Sequence, residues 1–270
     1  MTGFKEWRDA GAADFAVIGD PIEHSLSPQM HQAAFDALGL PYRYVALRVR
    51  VGEVPECLAH LAGLGFKGVN VTVPHKEETF RAMIAVEPLA ALVGSVNTVR
   101  LPDLHGTNTD GPGFMDTLSE LGLPEHPAVL VLGAGGSALA VVAALSATTQ
   151  VIRLYNRTRE RAEALVAKLA ANVEILQEAD PAGCDLVVNT TSAGLKGEQL
   201  PIDWASAKAG AVAYDLVYGR EPTPFLRSAA DRGLRTVDGL PLLVAQGARS
   251  LEWWLEVNAP RKAMFESLRW

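Results

Sequence analysis

Hydrophobic residues follow two alternating patterns along the chain. Short apolar runs rich in β-branched residues predict buried strands, and longer segments with apolar residues three or four positions apart predict helices. Residues 14–19 form the first predicted strand, and a helix over 28–38 follows, which Gly39 ends because glycine tolerates a left-handed backbone. The other predicted strands are 42–47, 68–73, 96–101, 104–108, 128–132, 150–155, 173–176, 185–189 and 211–216, and the other predicted helices are 54–64, 136–145, 160–170 and 241–257.

This alternation indicates an α/β fold, since strand–helix–strand units build a mostly parallel sheet with right-handed crossovers. We expect two domains. The N-terminal α/β domain comprises residues 1–112 and, because the amphipathic last helix can return to it, also residues 243–270; the second comprises residues 113–242. The Gly-Pro-Gly segment 111–113 predicts a flexible loop at the boundary.

The composition excludes some classes of protein. With 24 basic and 31 acidic residues the formal net charge is -7, and no basic cluster of the kind that binds nucleic acid is visible. No apolar stretch reaches the roughly 18 residues of a membrane-spanning helix, and residues 1–13 lack the apolar run of a signal peptide. We therefore expect a cytoplasmic protein without a nucleic-acid or membrane partner.

Cysteine and histidine positions favour neither a disulfide framework nor a metal site. Cys57 and Cys184 lie far apart in sequence, and two free thiols are favoured over a single disulfide, which the sequence leaves open. The six histidines are scattered without metal-ligand spacing, so we expect no metal.

The segment AVLVLGAGGSALA, residues 128–140, joins a buried strand to a helix through Gly133, Gly135 and Gly136. Glycines in this order permit a tight turn and let backbone amides approach a pyrophosphate, which the positive end of the helix dipole also attracts. A glycine-rich turn without a ligand is the alternative. We predict a Rossmann dinucleotide-binding domain.

The end of the next strand indicates which dinucleotide is bound. NAD enzymes usually have an acidic residue there, which accepts hydrogen bonds from the ribose 2′-hydroxyl. This chain has Asn156, Arg157 and Thr158, with Arg161 one turn later. Guanidinium groups bind a 2′-phosphate with charge-assisted hydrogen bonds, so NADP is favoured. The alternative is that the arginines are solvated charges at a helix entry.

Polar residues occur in three segments of the N-terminal domain. In HSLSPQM, residues 24–30, Ser27 is predicted as a helix N-cap, and together with Ser25 it can also bind a carboxylate. In GVNVTVPHKE, residues 68–77, Asn70 and Thr72 share one face of a strand, and Lys76 follows its end.

The third segment, residues 95–114, has two Asn-Thr pairs on either side of a predicted hairpin, at Asn97–Thr98 and Asn108–Thr109, and Asp110 follows the second pair. Taken alone, each of these residues is also compatible with an ordinary cap, a solvent-exposed charge or a loop. A cleft between two domains is nevertheless where substrate and cofactor commonly meet.

Taken together, these segments resemble the shikimate dehydrogenase family. Nine stretches occur in the family's order between residues 19 and 248, and they are GDPIEHSLSPQMHQAAF, GVNVTVPHK, GSVNT, GTNTDGPGF, VLGAGGSA, NRTRERA, NTTSAG, DLVY and DGLPLLVAQGA. The resemblance implies an oxidoreductase that reversibly reduces 3-dehydroshikimate to shikimate with NADPH. That reaction is a step of the shikimate pathway of aromatic amino-acid (chorismate) biosynthesis.

The resemblance also implies roles for individual residues. Lys76 and Asp110 would form the catalytic pair, and Ser25 and Ser27 would hold the substrate carboxylate. The remaining substrate contacts would come from Asn70, Thr72, Asn97, Tyr218 and Gln246, beside Lys76 and Asp110 themselves. The NADP contacts would come from Gly133, Ala134, Gly135, Gly136, Ser137, Ala138, Asn156, Arg157, Thr158, Arg161, Thr190, Val217 and Gly239.

Two departures from the family pattern and three alternatives accompany this interpretation. Leu139 stands where a basic residue is frequent, and Pro241 and Leu242 replace Gly and Met near the nicotinamide end. A quinate or dual quinate/shikimate dehydrogenase is the nearest alternative. A non-catalytic NADP sensor and a folate- or amino-acid-dehydrogenase relative are the others, and a monomer and a homodimer are both compatible with the sequence.

Overall fold

The computed structural model describes residues 4–148, 151–169, 172–194 and 197–268. The strands are β1 (Lys5–Glu6), β2 (Phe15–Gly19), β3 (Tyr44–Arg48), β4 (Gly68–Val71), β5 (Ala85–Val86), β6 (Thr98–Arg100), β7 (His105–Thr107), β8 (Ala128–Leu132), β9 (Val151–Tyr155), β10 (Val173–Ile175), β11 (Leu186–Asn189), β12 (Val212–Asp215) and β13 (Arg235–Val237). The helices are α1 (Ser27–Leu38), α2 (Val54–Gly63), α3 (Lys76–Ala82), α4 (Pro88–Val93), α5 (Asp110–Ser119), α6 (Gly136–Leu145), α7 (Arg159–Leu169), α8 (Pro224–Ala230), α9 (Leu240–Leu255) and α10 (Arg261–Ser267).

The chain divides into two compact units. The first comprises Met1–Thr109 and Leu243–Trp270, and the second comprises Asp110–Leu242. The boundary predicted after residue 112 falls inside α5, three residues beyond the boundary after Thr109.

The described part of the first unit forms a seven-stranded sheet in the order β1-β3-β2-β4-β6-β7-β5. The pairs among β1, β3, β2 and β4 are parallel, whereas β6 pairs antiparallel with both β4 and β7. Its core contains apolar side chains of the central strands and of α2, among them Ile18, Leu47, Val69, Leu58 and Leu61. The sheet is therefore mostly parallel, with the predicted hairpin as its antiparallel part.

In the described part of the second unit, a six-stranded sheet is parallel throughout, in the order β10-β9-β8-β11-β12-β13. Numbered within this unit, the order is 3-2-1-4-5-6, which is that of the Rossmann dinucleotide-binding fold. Leu130, Val187 and Ala213 from neighbouring strands pack with Phe225 and Leu226 of α8 in the core. This confirms the predicted α/β fold class.

Several elements differ from the sequence prediction. Among the described elements, three strands of two or three residues and four helices of six or seven residues were not predicted, because they span too few residues to show a period; they are β1, β5, β13, α3, α4, α8 and α10. The longer helix α5 was not predicted either. The predicted ends of β9 at residue 150 and of α7 at residue 170 lie outside the described residues.

The Gly-Pro-Gly segment was wrongly predicted as a flexible loop. It lies in the first turn of α5, where the missing amide of Pro112 costs no helical hydrogen bond. Gly111 is buried, and a Cβ there would come within 2.9 Å of the Ala140 carbonyl oxygen on α6. Glycine therefore allows these two helices to approach closely.

Among the helices of the described residues, none combines the length and the apolar character that a bilayer crossing requires. Cys57 and Cys184 are both free and buried. Burial raises the pKa of the Cys57 thiol to about 12 and also raises the pKa of Cys184. Both thiols are therefore protonated near neutral pH.

Candidate active site

The serine pair lies at the start of α1. Ser27 is its first residue and Leu26 occupies the N-cap, so the prediction of Ser27 as N-cap was wrong. The hydroxyl of Ser25 accepts a hydrogen bond from the Ser27 amide at 3.4 Å, which fixes the turn and leaves the two hydroxyls two residues apart. Pro28 follows in the first turn, where it needs no hydrogen-bond partner. The helix N-terminus and the two hydroxyls suit a carboxylate.

Asn70 and Thr72 occupy different environments at the end of β4. Asn70 is buried in the strand, where its Oδ1 accepts from the Tyr44 hydroxyl at 2.7 Å. Thr72 follows the last residue of β4 and is half-buried, and its amide donates to the Ile18 carbonyl at 2.9 Å. The predicted strand over residues 68–73 is thus two residues shorter, since Pro74 has no amide hydrogen with which to extend the ladder.

Lys76 is the first residue of α3 and is half-buried. Its carbonyl accepts a hydrogen bond from the Val96 amide at 3.0 Å. This contact fixes the start of α3 beside the residue that precedes Asn97. The sequence predicted a lysine just after a strand end, and the structure places it on a helix that follows a short turn.

Asn97, Thr109 and Gln246 form a polar cluster in the first unit. Asn97 is 2% exposed, and its Nδ2 lies 3.0 Å from Thr109 Oγ1 and 3.5 Å from Gln246 Oε1. Its Oδ1 accepts from the Thr109 amide at 2.8 Å. Gln246 lies on α9 and donates from Nε2 to the Leu243 carbonyl at 2.8 Å. The structure therefore brings together residues about 150 positions apart in sequence.

Asp110 is half-buried and begins α5, directly after Thr109. It is the first residue of the second unit, whereas Lys76 belongs to the first unit. The hydrogen bonds between Thr109 and Asn97 fix the chain immediately before Asp110. The backbone position of this carboxylate is therefore set by a buried neighbour and by a helix start.

The glycine loop joins β8 to α6 in the second unit. Gly133 follows β8 with φ 111°, and a Cβ there would lie 2.7 Å from Thr190 Oγ1, so only glycine fits. Gly135 is the N-cap of the ten-residue helix α6, and a Cβ built at Gly135 or Gly136 has no atom within 4 Å. Both glycines are exposed, so the N-terminus of α6 is accessible to an anion.

The rest of this loop leads into α6. Ala134 and Ser137 are half-buried, and Ala138 is buried. Leu139, at a position where the resemblance suggests a basic residue, is 9% exposed and belongs to the buried side of α6. A phosphate contact from position 139 is thus replaced by core packing.

The predicted 2′-phosphate residues follow β9. Arg157, Thr158 and Arg161 are exposed, and Asn156 is half-buried with its Nδ2 donating to the Thr158 carbonyl at 2.7 Å. The turn 156–158 contains no carboxylate, so nothing at the tip of β9 repels a phosphate.

The segments after β11 and β12 are held by a buried carboxylate that the sequence analysis did not identify. Asp215 is fully buried and accepts hydrogen bonds from Asn189 Nδ2 at 2.9 Å, the Val217 amide at 3.0 Å and the Thr223 hydroxyl at 2.6 Å. Burial raises its pKa to about 6, against the lowering effect of these three donors. Asp215 thereby fixes the turn that carries Val217 and the half-buried Tyr218.

Gly239 and Thr190 are also constrained by contacts within the second unit. A Cβ at Gly239 would collide with the Leu216 carbonyl oxygen, and the Gly239 amide donates to the Val217 carbonyl at 3.1 Å. The Thr190 hydroxyl donates to the Leu132 carbonyl at 2.7 Å. In the second unit, Gly133 therefore lies beside Thr190, and Val217 lies beside Gly239.

Three residues of the first unit that contact the polar cluster or pack beside it were not identified from the sequence: Tyr44, Ser250 and His31. The Tyr44 and His31 rings stack with centroids 4.4 Å apart. Burial lowers the pKa of the His31 imidazole to about 3, so the ring is neutral near pH 7. The local signal for Ser250 was its spacing, one helical turn after Gln246 on a predicted helix.

Comparison with known proteins places these residues in a family. The model of the shikimate dehydrogenase substrate binding domain matches residues 17–99. The shikimate dehydrogenase (NADP(+)) of Desulfitobacterium hafniense is 41% identical over 94% of this chain and 98% of its own, and that of Moorella thermoacetica is 43% identical over 94% and 92%. A crystal structure of shikimate 5-dehydrogenase from Thermus thermophilus, in complex with NADP(H) and shikimate, is 36% identical with a TM-score of 0.88, covering 95% of this chain and 98% of that one. The chain belongs to the shikimate dehydrogenase family.

Proposed function

We propose that this chain catalyses the reversible, NADP-dependent interconversion of 3-dehydroshikimate and shikimate, a step of aromatic amino-acid biosynthesis. The observation that carries the proposal is identity above 40% to shikimate dehydrogenases (NADP(+)) over nearly the whole chain. A glycine loop before α6 in one unit and a polar cluster around Asn97 in the other support the proposal.

NADP fits the second unit. The open space at the start of α6 suits a pyrophosphate, and the turn after β9 offers Arg157 without a competing carboxylate. When bound, the nicotinamide supplies or accepts the hydride. Asp215 and Gly239 would hold the turns around Val217 in the shape that the cofactor contacts require.

Lys76 and Asp110 are the proposed proton-handling pair. Reduction of a ring carbonyl leaves negative charge on its oxygen, and a positioned acid that donates a proton there lowers the barrier. The Lys76 ammonium would donate that proton, with the Asp110 carboxylate orienting it and accepting a hydrogen bond from the substrate. In the oxidative direction the same pair would take the proton back.

The remaining substrate contacts follow from the geometry of the first unit. Ser25 and Ser27 at the start of α1 would bind the carboxylate, and Thr72, Asn97 and Gln246 would bind ring hydroxyls. Tyr218 is a further proposed contact. Asn70 differs, because its amide already has Tyr44 and three acceptors within hydrogen-bond distance. A positioning role suits Asn70 better than the direct substrate contact that the resemblance implies.

The test is a spectrophotometric assay of the purified protein, which follows NADPH formation from shikimate and NADP. Parallel reactions use quinate in place of shikimate and NAD in place of NADP. A higher kcat/KM for shikimate with NADP is expected, and a preference for quinate would overturn the proposed substrate. Bound NADPH without any turnover would indicate a non-catalytic sensor. The cytoplasmic location and the oligomeric state stay predictions.

A further inference from the structure

A buried hydrogen-bond network lies in the first unit around Ser250. We use "the buried network" for Tyr44, Asn70, Asn97, Thr98, Thr109 and Ser250. Ser250 is fully buried on α9, one turn after Gln246. Its Oγ lies 2.9 Å from Asn70 Nδ2, 2.8 Å from Thr98 Oγ1, 3.2 Å from Thr109 Oγ1 and 2.9 Å from the Gln246 carbonyl oxygen.

Counting donors and acceptors gives the direction of these hydrogen bonds. A serine hydroxyl donates one hydrogen bond and accepts two, and an amide nitrogen only donates. Ser250 therefore accepts from Asn70. The Ser250 hydroxyl donates its one hydrogen to the Gln246 carbonyl oxygen at 2.9 Å, because a carbonyl can only accept. Ser250 can then accept from one of the two threonine hydroxyls, Thr98 or Thr109, and the other hydroxyl donates to Asn97 Oδ1.

The consequence is a fixed orientation for the Asn97 amide. The backbone amide of Thr109 needs an acceptor, and Asn97 Oδ1 fills that role at 2.8 Å. The hydroxyls of Thr98 and Thr109, both in contact with Ser250, lie 3.0 and 3.2 Å from the same oxygen. A rotated amide would bury unsatisfied donors, which is costly away from water. Asn97 Nδ2 is thereby turned toward Gln246.

We propose that Ser250 is a positioning residue for the substrate site. Through Thr98 and Thr109 it sets the orientation of the Asn97 amide. Through its hydrogen bond to the Gln246 carbonyl on α9 it fixes the backbone position of Gln246 beside that amide. This inference rests on the proposed function, in which Asn97 and Gln246 bind ring hydroxyls. Ser250 itself touches neither the substrate nor the reacting atoms.

The test compares two variants with a matched control. Ser250→Ala removes the hydroxyl, and Ser250→Cys keeps nearly the same volume but hydrogen-bonds weakly. Ser267→Ala is the control, because the Ser267 hydroxyl also donates to a carbonyl one turn earlier, on α10 of the same unit, and lies outside the buried network. Steady-state kinetics with shikimate and NADP and a thermal melt are measured for each protein.

Both Ser250 variants should raise the KM for shikimate by about tenfold, the factor expected when one hydrogen bond to the substrate is weakened. The kcat and the KM for NADP should stay near wild type, and the control should be unchanged in all three. A normal KM for shikimate in both variants, or an equal rise in the KM for NADP, would overturn the inference. A normal KM in Ser250→Cys alone would mean that packing rather than hydrogen bonding matters, and would overturn it as well. Wild-type protein without turnover of shikimate would instead overturn the proposed function, and this inference with it.

Discussion

At the scale of single residues, Lys76 carries the largest expected effect on catalysis. Lys76→Ala removes the proposed proton donor, and kcat should fall by about 10²–10⁴-fold, the usual contribution of a general acid. The affinity for NADPH, measured by fluorescence titration, should stay near wild type, since Lys76 lies in the first unit. Lys67→Ala, an exposed lysine of the same unit, is the control. A kcat near wild type would remove Lys76 from the mechanism.

Arg157 is the residue that we expect to set the choice between the two nicotinamide cofactors. Arg157→Asp places a carboxylate where NAD enzymes carry one, and it should raise the KM for NADPH about 10- to 100-fold, as expected for loss of a charge-assisted hydrogen bond. The KM for NADH should change much less. Arg232→Asp, at an exposed arginine of the same unit, controls for a general change in charge. Equal effects on both cofactors would show that Arg157 is only a surface charge.

The site residues that could be predicted from the sequence are those with a local signature. Gly133 and Arg157 lie in a continuous strand–loop–helix–strand segment, so their spacing alone indicates a dinucleotide site. Asp215 had no such signature, and the local signal for Ser250 was only its spacing from Gln246. Their importance comes from hydrogen bonds to residues 26 and 180 positions away, which are set by the sheet order and by the return of α9. No single-segment pattern contains that information.

At the scale of elements, continuous apolar or small-residue segments were predictable, and the Gly-Pro-Gly start of α5 was not. The strand β8 and the helix α6 have the predicted bounds, because each is a continuous apolar or small-residue run. The segment 111–113 has the composition of a loop, yet it packs as the first turn of α5. Glycine signals either flexibility or a close approach, and only the neighbouring element decides between them.

Replacement of Gly111 tests that close approach. Gly111→Ala would place a Cβ 2.9 Å from the Ala140 carbonyl oxygen, and overpacking of this kind should lower the free energy of unfolding by about 1–3 kcal/mol. Gly63→Ala in α2 is the matched control, since a Cβ there meets nothing within 4 Å. Alanine should leave that variant equal to wild type or slightly more stable. If α5 were a flexible loop, Gly111→Ala would be as harmless as the control in urea denaturation.

At the scale of the whole molecule, each unit contains a buried group whose shifted pKa makes the stability depend on pH in the acid range. In the first unit, burial lowers the pKa of His31 from 6.5 to about 3. In the second unit, burial raises the pKa of Asp215 from 3.8 to about 6. Both groups are neutral between about pH 4 and pH 6, but relative to the unfolded chain they shift proton binding in opposite directions. As the pH falls, the contribution of His31 to stability should therefore decrease and that of Asp215 should increase.

The sign follows from linkage between proton binding and folding. Between pH 6.5 and 3 the unfolded chain protonates His31 and the folded chain does not, so this residue's contribution to stability falls as the pH falls. Between pH 6 and 3.8 the folded chain holds a proton on Asp215 that the unfolded chain has lost, so its contribution rises as the pH falls. At about 1.36 kcal/mol per pKa unit, the pH-dependent contribution to the free energy of unfolding is at most about 5 kcal/mol for His31 and about 3 kcal/mol for Asp215.

Native-state hydrogen exchange from about pH 7 to about pH 4 can measure both contributions, because it reports opening free energies separately for β2 and β4 and for β11 and β12. His31→Leu should flatten the loss of protection of β2 and β4 toward low pH. Asp215→Asn should remove a gain of protection from β11 and β12 over the same range. The comparison uses the slope with pH, since either substitution also changes packing and hence absolute stability. Slopes equal to wild type in both variants would mean that neither group titrates differently in the folded and unfolded chains.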